Sequence, residues 1–268
     1  MKQFILNIEP DLHFQNENAI RLEGGDYHYL VRVRRLAAGE CFPALLPNGK
    51  EVVVKILSID GKTLTGKLMP SNNTVQSDSS VPKIILLQAL PKGDKMDLIV
   101  RQAAEGGITE IVPFVSEFSV VKINEGQKFA RWERIVKEAR QQSGSKIATA
   151  LHKPLAMKDM FGYWNKIKEA ENGQTAGLLF HHQQGLEYKS LHSYLNSNPK
   201  IVALAVGPEG GFSGTEVSVF TENGFLPVTI GDTVLRAETA ALYCTAAVKI
   251  ILLERESWKF KATSQNNE

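Results

Sequence analysis

The stretch IVALAVGPEGGFSGTEVSVFTENGFLPVTIGDTVLRAETAALYCT, residues 201–245, decides how the rest of the chain is read. Its first six residues are apolar and rich in β-branched types, and they stop at Gly207-Pro208-Glu209-Gly210-Gly211. That pattern predicts a buried strand feeding a tight loop. Ser213 followed by Glu216 is a capping box, so a helix starts directly after the loop. A second short strand, 225–230, ends at Gly231, and residues 233–240 open a long apolar helix. Two strand ends, each followed by a glycine-containing loop and a helix start, are thus offered as one site. Glycine loops at the carboxyl ends of strands let backbone groups approach a ligand closely, although a lone Gly-Gly pair serves a plain turn equally well. The second loop favours a site. Arg236 lies where that helix begins, a cation at the positive end of the helix dipole, which local stability does not explain. Glu238 is either a favourable first-turn carboxylate or a partner for Arg236.

Three nucleotide-binding or hydrolytic motifs are excluded. The loop lacks the lysine of a phosphate-binding G-x-x-x-x-G-K-[ST] sequence, and its glycines do not follow G-x-G-x-x-G. Position 215 is Thr, so Ser213 does not sit in a G-x-S-x-G nucleophile elbow. The expected ligand is therefore something other than a nucleotide phosphate. With 268 residues, 43% of them hydrophobic, the chain can bury one large or two modest cores. A net charge of +2 is too small to argue for or against nucleic acid, so local clustering has to decide. Cys41 and Cys244 lack metal or disulfide spacing and are expected to be buried apolar residues, with no metal centre. The N-terminus fits neither a signal peptide nor an anchor, and no run is long enough to span a membrane, so a cytoplasmic location is expected.

Along the chain, residues 1–70 read as a small β-barrel domain. Asn48-Gly49 and Asp60-Gly61 separate strand-like runs at 41–46, 51–59 and 63–69, predicting two tight hairpins. Residues 26–39, DYHYLVRVRRLAAG, predict a short helical segment with Val31, Val33 and Leu36 inward. Arg32, Arg34 and Arg35 crowd it, which is either a solvated basic face or a grip on phosphates. Residues 71–80 are polar and predict a linker, and 261–268 a polar tail. Over 81–260, strands at 83–89, 108–115, 175–181 and 201–206 alternate with helices at 95–104, 128–142, 157–170 and 186–195. Such alternation predicts a mostly parallel sheet with helices on both faces. The apolar helix 240–253 packs on the core or on a second subunit.

GPEGGFS-x-x-E followed by L-R-x-E-T-A resembles the RsmE-type 16S ribosomal RNA (uracil-N3)-methyltransferases of the SPOUT superfamily. The likeness continues through Ala89-Leu90-Pro91-Lys92-Gly93-Asp94-Lys95-Met96, Glu105-Gly106-Gly107-Ile108, Arg131-Trp132 and the H-x-x-x-V-x-R-x-x-x-G pattern from His28. The resemblance implies a SPOUT-type parallel-sheet domain with a C-terminal trefoil knot behind a PUA-like RNA-binding barrel, in a homodimer. It implies S-adenosylmethionine as cofactor, 16S rRNA of the small ribosomal subunit as partner, and no metal. On the same basis the cofactor is held by Leu179, Phe180, Leu204, Gly207, Pro208, Gly210, Gly211, Ile230, Gly231 and Leu235. RNA is held by His28, Arg32, Arg34, Arg35, Lys92 and Arg101.

Methyl transfer to uracil N3 requires loss of a proton. Arg236 is expected to stabilise charge developing on the uracil carbonyls, Glu209 to accept the proton or orient the base, and Glu238 to hold Arg236. The chain departs from the family pattern at Phe118 and Ser145, where arginine is expected, at Arg101 in place of lysine, and at Gly106 in place of leucine. Two missing arginines are expected to weaken RNA positioning or alter the target, leaving the cofactor loops untouched.

Overall fold

The computed structural model describes residues 4–6, 19–71, 81–119, 125–182 and 188–254. Most of the expected linker and all of the expected tail lie outside the described residues.

The N-terminal unit is a five-stranded sheet in the order β1-β3-β4-β5-β2, with β1 (Phe4–Ile5), β2 (Ala19–Leu22), β3 (Cys41–Leu45), β4 (Glu51–Asp60) and β5 (Thr63–Pro70). Both predicted hairpins form. Leu45 pairs Glu51 across the Asn48-Gly49 turn, and Asp60 pairs Thr63 across Asp60-Gly61. Alternation along β4 buries Val52, Val54 and Ile56 against Phe4, Ile20 and Phe42, as a half-buried strand requires.

Between β2 and β3, α1 (Gly24–Tyr27) runs into a π-helical turn, His28–Val33. Its wider turn, with the Arg34 N–H donating to the Tyr29 carbonyl at 2.9 Å, changes which residues face the core. Tyr27 and Leu30 are buried, Val31 and Leu36 pack partly against the core, and Val33 is 60% exposed. The expectation that Val33 points inward assumed ordinary helical phase and is corrected. Cys41 is also corrected: it begins β3 on the outward side and is exposed, whereas Cys244 is buried.

The C-terminal unit is a seven-stranded, wholly parallel sheet in the order β12-β10-β11-β6-β7-β8, with β9 also on β7. Its strands are β6 (Lys83–Ala89), β7 (Glu110–Val115), β8 (Ala150–Leu151), β9 (Leu155–Ala156), β10 (Thr175–Phe180), β11 (Ile201–Val206) and β12 (Phe225–Val228). Its helices are α2 (Lys95–Glu105), α3 (Glu125–Ser143), α4 (Met157–Ala170), α5 (Leu191–Leu195), α6 (Gly214–Glu222) and α7 (Ala237–Glu254). Every residue of β11 is buried, as expected of a central parallel strand covered on both faces. Leu86 and Leu204 join one core with residues of α2, α3 and α7, while Leu87 and Ala205 join another with α4 and α6.

Helix α5 begins later than predicted, because Ser190 caps it by accepting the Ser193 N–H at 3.2 Å. The helix predicted to open at 233 begins instead at Ala237, leaving Thr233, Val234, Leu235 and Arg236 in a loop. The two units touch along the β3–β4 turn. Arg140 Nη1 donates to the Pro47 carbonyl at 3.3 Å, and Lys146 pairs with Glu51 at 2.6 Å.

Candidate active site

The carboxyl ends of β10, β11 and β12 lie side by side, with Phe180 in register with both Val206 and Val228. This is where ligands bind in open parallel sheets. A cavity of about 260 Å³ opens there, floored by those strand ends and walled by the loop after β11, the loop after β12 and the start of α7. The loop after β11 turns tightly, with the Gly211 N–H donating to the Pro208 carbonyl at 2.9 Å. Gly211 has φ +68°, a conformation that favours glycine, and a Cβ on Gly207 would press on the Gly211 backbone at 3.1 Å. The S-x-x-E capping box forms as predicted: the Ser213 N–H reaches Glu216 at 2.9 Å and the Glu216 N–H reaches Ser213 at 3.3 Å. Glu216 also accepts the Glu117 N–H at 2.8 Å, a long-range contact that its local motif does not disclose.

Most predicted cofactor residues meet in this cavity: Phe180, Gly207, Pro208, Gly210, Gly211, Ile230, Gly231 and Leu235 all line it. Leu179 and Leu204 do not. Leu179 packs in the core on the α4 and α6 side and Leu204 in the opposite core; Leu204 also pairs in mid-strand with Leu178 and Leu86. His181, Thr229, Val234, Ala240 and Cys244 also line the cavity, although they are not among the ten residues expected to hold the cofactor. Burial pushes the Cys244 thiol well up, so it acts as apolar wall and not as thiolate.

Among the described lining residues Glu209 is the one carboxylate and there is no lysine or arginine. A phosphate would find no guanidinium or ammonium there, only the imidazoles of His181 and His182. An uncharged heterocycle with a cationic substituent would find apolar sides, backbone hydrogen-bonding groups and one carboxylate. No metal-holding cluster of His, Cys, Asp and Glu occurs among the described residues.

Glu209 is tied to α2. Its carboxylate accepts the Lys92 N–H at 3.1 and 3.2 Å and pairs with Lys95 Nζ at 2.5 Å. Burial opposes its ionisation, but the Lys95 and backbone hydrogen bonds outweigh it and hold the carboxyl below the usual range. A carboxylate so stabilised is a weak proton acceptor. The geometry therefore favours an orienting role for Glu209 over a general base. Lys95 also approaches Glu238 at 3.9 Å, and no ion pair joins Glu238 to Arg236 among the described residues. The expected Glu238–Arg236 pairing is thus replaced by a Lys95 bridge between two carboxylates.

Arg236 immediately precedes α7 and is exposed, its carbonyl accepting the Ala240 N–H at 2.7 Å. Its guanidinium makes no ion pair among the described residues. Sequence reasoning missed Gln88 as well. It is completely buried, and its Nε2 donates to the carbonyls of Ala89, Val206 and Gly207 at 2.9, 3.4 and 3.3 Å, fixing the point where β6 and β11 part.

The six residues expected to hold RNA fall in two places. His28, Arg32 and Arg35 are exposed and Arg34 half-buried on the helical segment of the N-terminal unit. Arg101 is exposed on α2 and lines a groove shared with Tyr29 of that unit, and Lys92 is exposed beside Glu209. Of the remaining departures, Gly106 accepts a hydrogen bond from Lys249 near Ser145, and Phe118 lies against Gly210.

Residues 77–249 match the model of an RNA methyltransferase domain, and residues 22–69 that of an RNA methyltransferase PUA domain. The chain is 32% identical to ribosomal RNA small subunit methyltransferase E of Synechocystis sp. over 88% of its own length and 74% of the relative's. It is 34% identical to ribosomal RNA small subunit methyltransferase E 2 of Borreliella burgdorferi, covering 84% of this chain and 88% of that one. Among solved structures, a methyltransferase of Legionella pneumophila in complex with bound SAM superposes with a TM-score of 0.74 at 25% identity, covering 92% of this chain and 96% of that one.

Proposed function

The chain belongs to the family of ribosomal RNA small subunit methyltransferase E, and we propose that it methylates N3 of a specific uridine in 16S rRNA, using S-adenosylmethionine. The observation that carries this reading is the juxtaposition of a cavity with no lysine or arginine among its described lining residues and an exposed Arg236 at its second loop that makes no ion pair among the described residues. Cofactor use is supported by the fit of the cavity to an uncharged heterocycle bearing a cationic group, and by the SAM bound to the Legionella protein. Phe180, Leu235 and Ala240 would flank the adenosine, with backbone groups of Gly207 and Gly231 beside it. When bound, the cofactor supplies a methyl group already activated by its sulfonium.

The chain's own residues have two tasks. One is to hold the acceptor base in line, which accounts for much of the rate in such a displacement. The other is to favour the N3-deprotonated base. Arg236, with a fixed positive charge and no competing ion pair among the described residues, stabilises negative charge on the uracil carbonyl oxygens as the N3 proton passes to solvent water and the methyl carbon exchanges its bond to sulfur for one to N3. Glu209, held by Lys92 and Lys95, orients the loop. His28, Arg32, Arg34, Arg35, Lys92 and Arg101 neutralise flanking phosphates.

The return of α7 from the edge strand β12 onto β11 and β6 is consistent with a threaded C-terminal segment, and we include the trefoil knot in this reading. A second copy would cover Leu242, Tyr243 and Ile250, exposed along α7. No described helix is long and apolar enough to cross a membrane; a cytoplasmic location is part of this proposal, because ribosomal RNA is the proposed substrate.

The test is incubation with radiolabelled S-adenosylmethionine and small subunits, or 16S rRNA, from cells lacking the enzyme, followed by nucleoside mass spectrometry. Label in 3-methyluridine is the expected result. Label in another nucleoside, or none, refutes the assignment. Arg236→Ala should lower kcat roughly 100- to 1,000-fold with cofactor affinity unchanged, and full turnover would remove Arg236 from the chemistry.

A further inference from the structure

Phe118 is 42% exposed, yet it is not placed loosely. It stands in the turn after β7. There the Ser116 N–H donates to Ser119 Oγ at 3.2 Å, the Ser119 N–H to the Ser116 carbonyl at 3.0 Å, and the two hydroxyls lie 3.0 Å apart. Its neighbour Glu117 donates its N–H to the buried carboxylate of Glu216, the residue that caps α6 directly after the cavity loop. The turn is therefore fastened to the same element that shapes the cavity. The Phe118 side chain lies over the backbone of Gly210: a Cβ on Gly210 would meet Phe118 carbons at 3.0, 3.2 and 3.3 Å. Gly210 itself lines the cavity, so an aromatic side chain flanks the cavity with part of its surface open to solvent.

A partly exposed aromatic on a hydrogen-bonded turn, beside a site that must receive an unstacked base, has an obvious partner. Bases displaced from an RNA strand lose stacking, and aromatic side chains restore it. We propose that Phe118 is a stacking platform for a nucleobase of the RNA strand entering the cavity. The site thereby uses a neutral, sequence-tolerant contact next to the cofactor loops, with charge supplied from Arg236 and the more distant basic residues. This rests on the methyltransferase assignment above, so its test has one arm that does not need turnover.

Phe118→Ala, Phe118→Leu and Phe118→Trp are compared in single-stranded RNA binding measured by filter retention, and in KM and kcat for methyl transfer. Loss of one stacked base should weaken RNA binding and raise KM for RNA about 5- to 150-fold in the Ala variant. The Leu variant should be nearly as weak, because it keeps apolar area but offers no aromatic face, while Trp retains or improves affinity. Cofactor affinity by calorimetry should be the same in all four proteins. Equal RNA binding by Ala and wild type, or full rescue by Leu, overturns the proposal. So does a loss of cofactor affinity or a change in oligomeric state in the Ala variant, since Phe118 would then support the loop or a protein interface. If the wild type transferred no methyl group to rRNA while the binding series kept its order, the activity assignment would fail and the stacking role would stand.

Discussion

Gly49 offers a sharp test of how the N-terminal unit is held against the methyltransferase unit. It has φ +85°, and a Cβ added there would overlap the carbonyl oxygen of Lys146, across the junction. Gly61, in the next hairpin, has φ +60° with nothing within 4 Å of an added Cβ. Alanine at either position pays the left-handed backbone cost of about 1–2 kcal/mol. At Gly49 the hairpin must also move away from residue 146. That movement removes the hydrogen bond from Arg140 to the Pro47 carbonyl and disturbs the Lys146–Glu51 ion pair. Arg140 is buried, and its Nε and Nη2 have no partner among the described residues, so the lost bond is the one that solvates this charge. Such a bond contributes about 1.5–3 kcal/mol, and the half-exposed Lys146 pair adds at most about 1 kcal/mol. Gly49→Ala should therefore be less stable than Gly61→Ala by about 2–4 kcal/mol in urea denaturation followed by fluorescence. It should also raise KM for RNA, since the basic segment loses its fixed position, with cofactor affinity unchanged. Equal destabilisation by the two substitutions would show that the hairpin does not bear on residue 146, and would refute the junction as described.

Two further predictions concern charge. Lys95→Met removes the ammonium that helps hold Glu209 low and leaves only the backbone hydrogen bonds to oppose burial; the Glu209 carboxyl then rises, and the acid limb of the activity profile should move to higher pH, with Lys95→Arg restoring it. An unmoved limb would separate Glu209 from activity. Glu110 is held below the usual carboxylate range chiefly by its hydrogen bond from His152, against an opposing contribution from burial and with help from Tyr163. Its folded-state value is depressed, so the stability it contributes is present above the ordinary carboxylate range and is lost as pH falls through the folded value. Glu110→Gln should flatten the acid side of the stability curve measured by urea titration at successive pH values; an unchanged slope would count against this.

What could be read from the sequence was what is local. Ser213 and Glu216 are three residues apart, and their reciprocal hydrogen bonds follow from helix geometry alone. The hairpins at Asn48-Gly49 and Asp60-Gly61 follow in the same way from turn chemistry. The helical segment at Val33 failed because a π-helical turn shifts phase, and residue types do not announce that shift. Leu204 is expected at the site on the family resemblance alone, whereas parallel pairing on both sides keeps it in mid-ladder. The Lys95–Glu209 pair spans 114 residues and could not be found by spacing. It matters because it turns Glu209 from a candidate base into a held carboxylate.

The wall of the cavity is assembled from segments far apart in synthesis. Phe180 and Val206 come from strands made earlier, whereas Ala237, Ala240 and Cys244 come from α7, the last described element. Domains generally fold as units, the N-terminal one first during synthesis. A nascent chain that has completed β6 through β12 would hold all seven strands of its sheet yet lack the helix that closes the cavity. Competence to hold a small molecule therefore arrives as a late, discrete event in the life of each polypeptide, and truncated products of interrupted translation would carry the RNA-gripping unit without it.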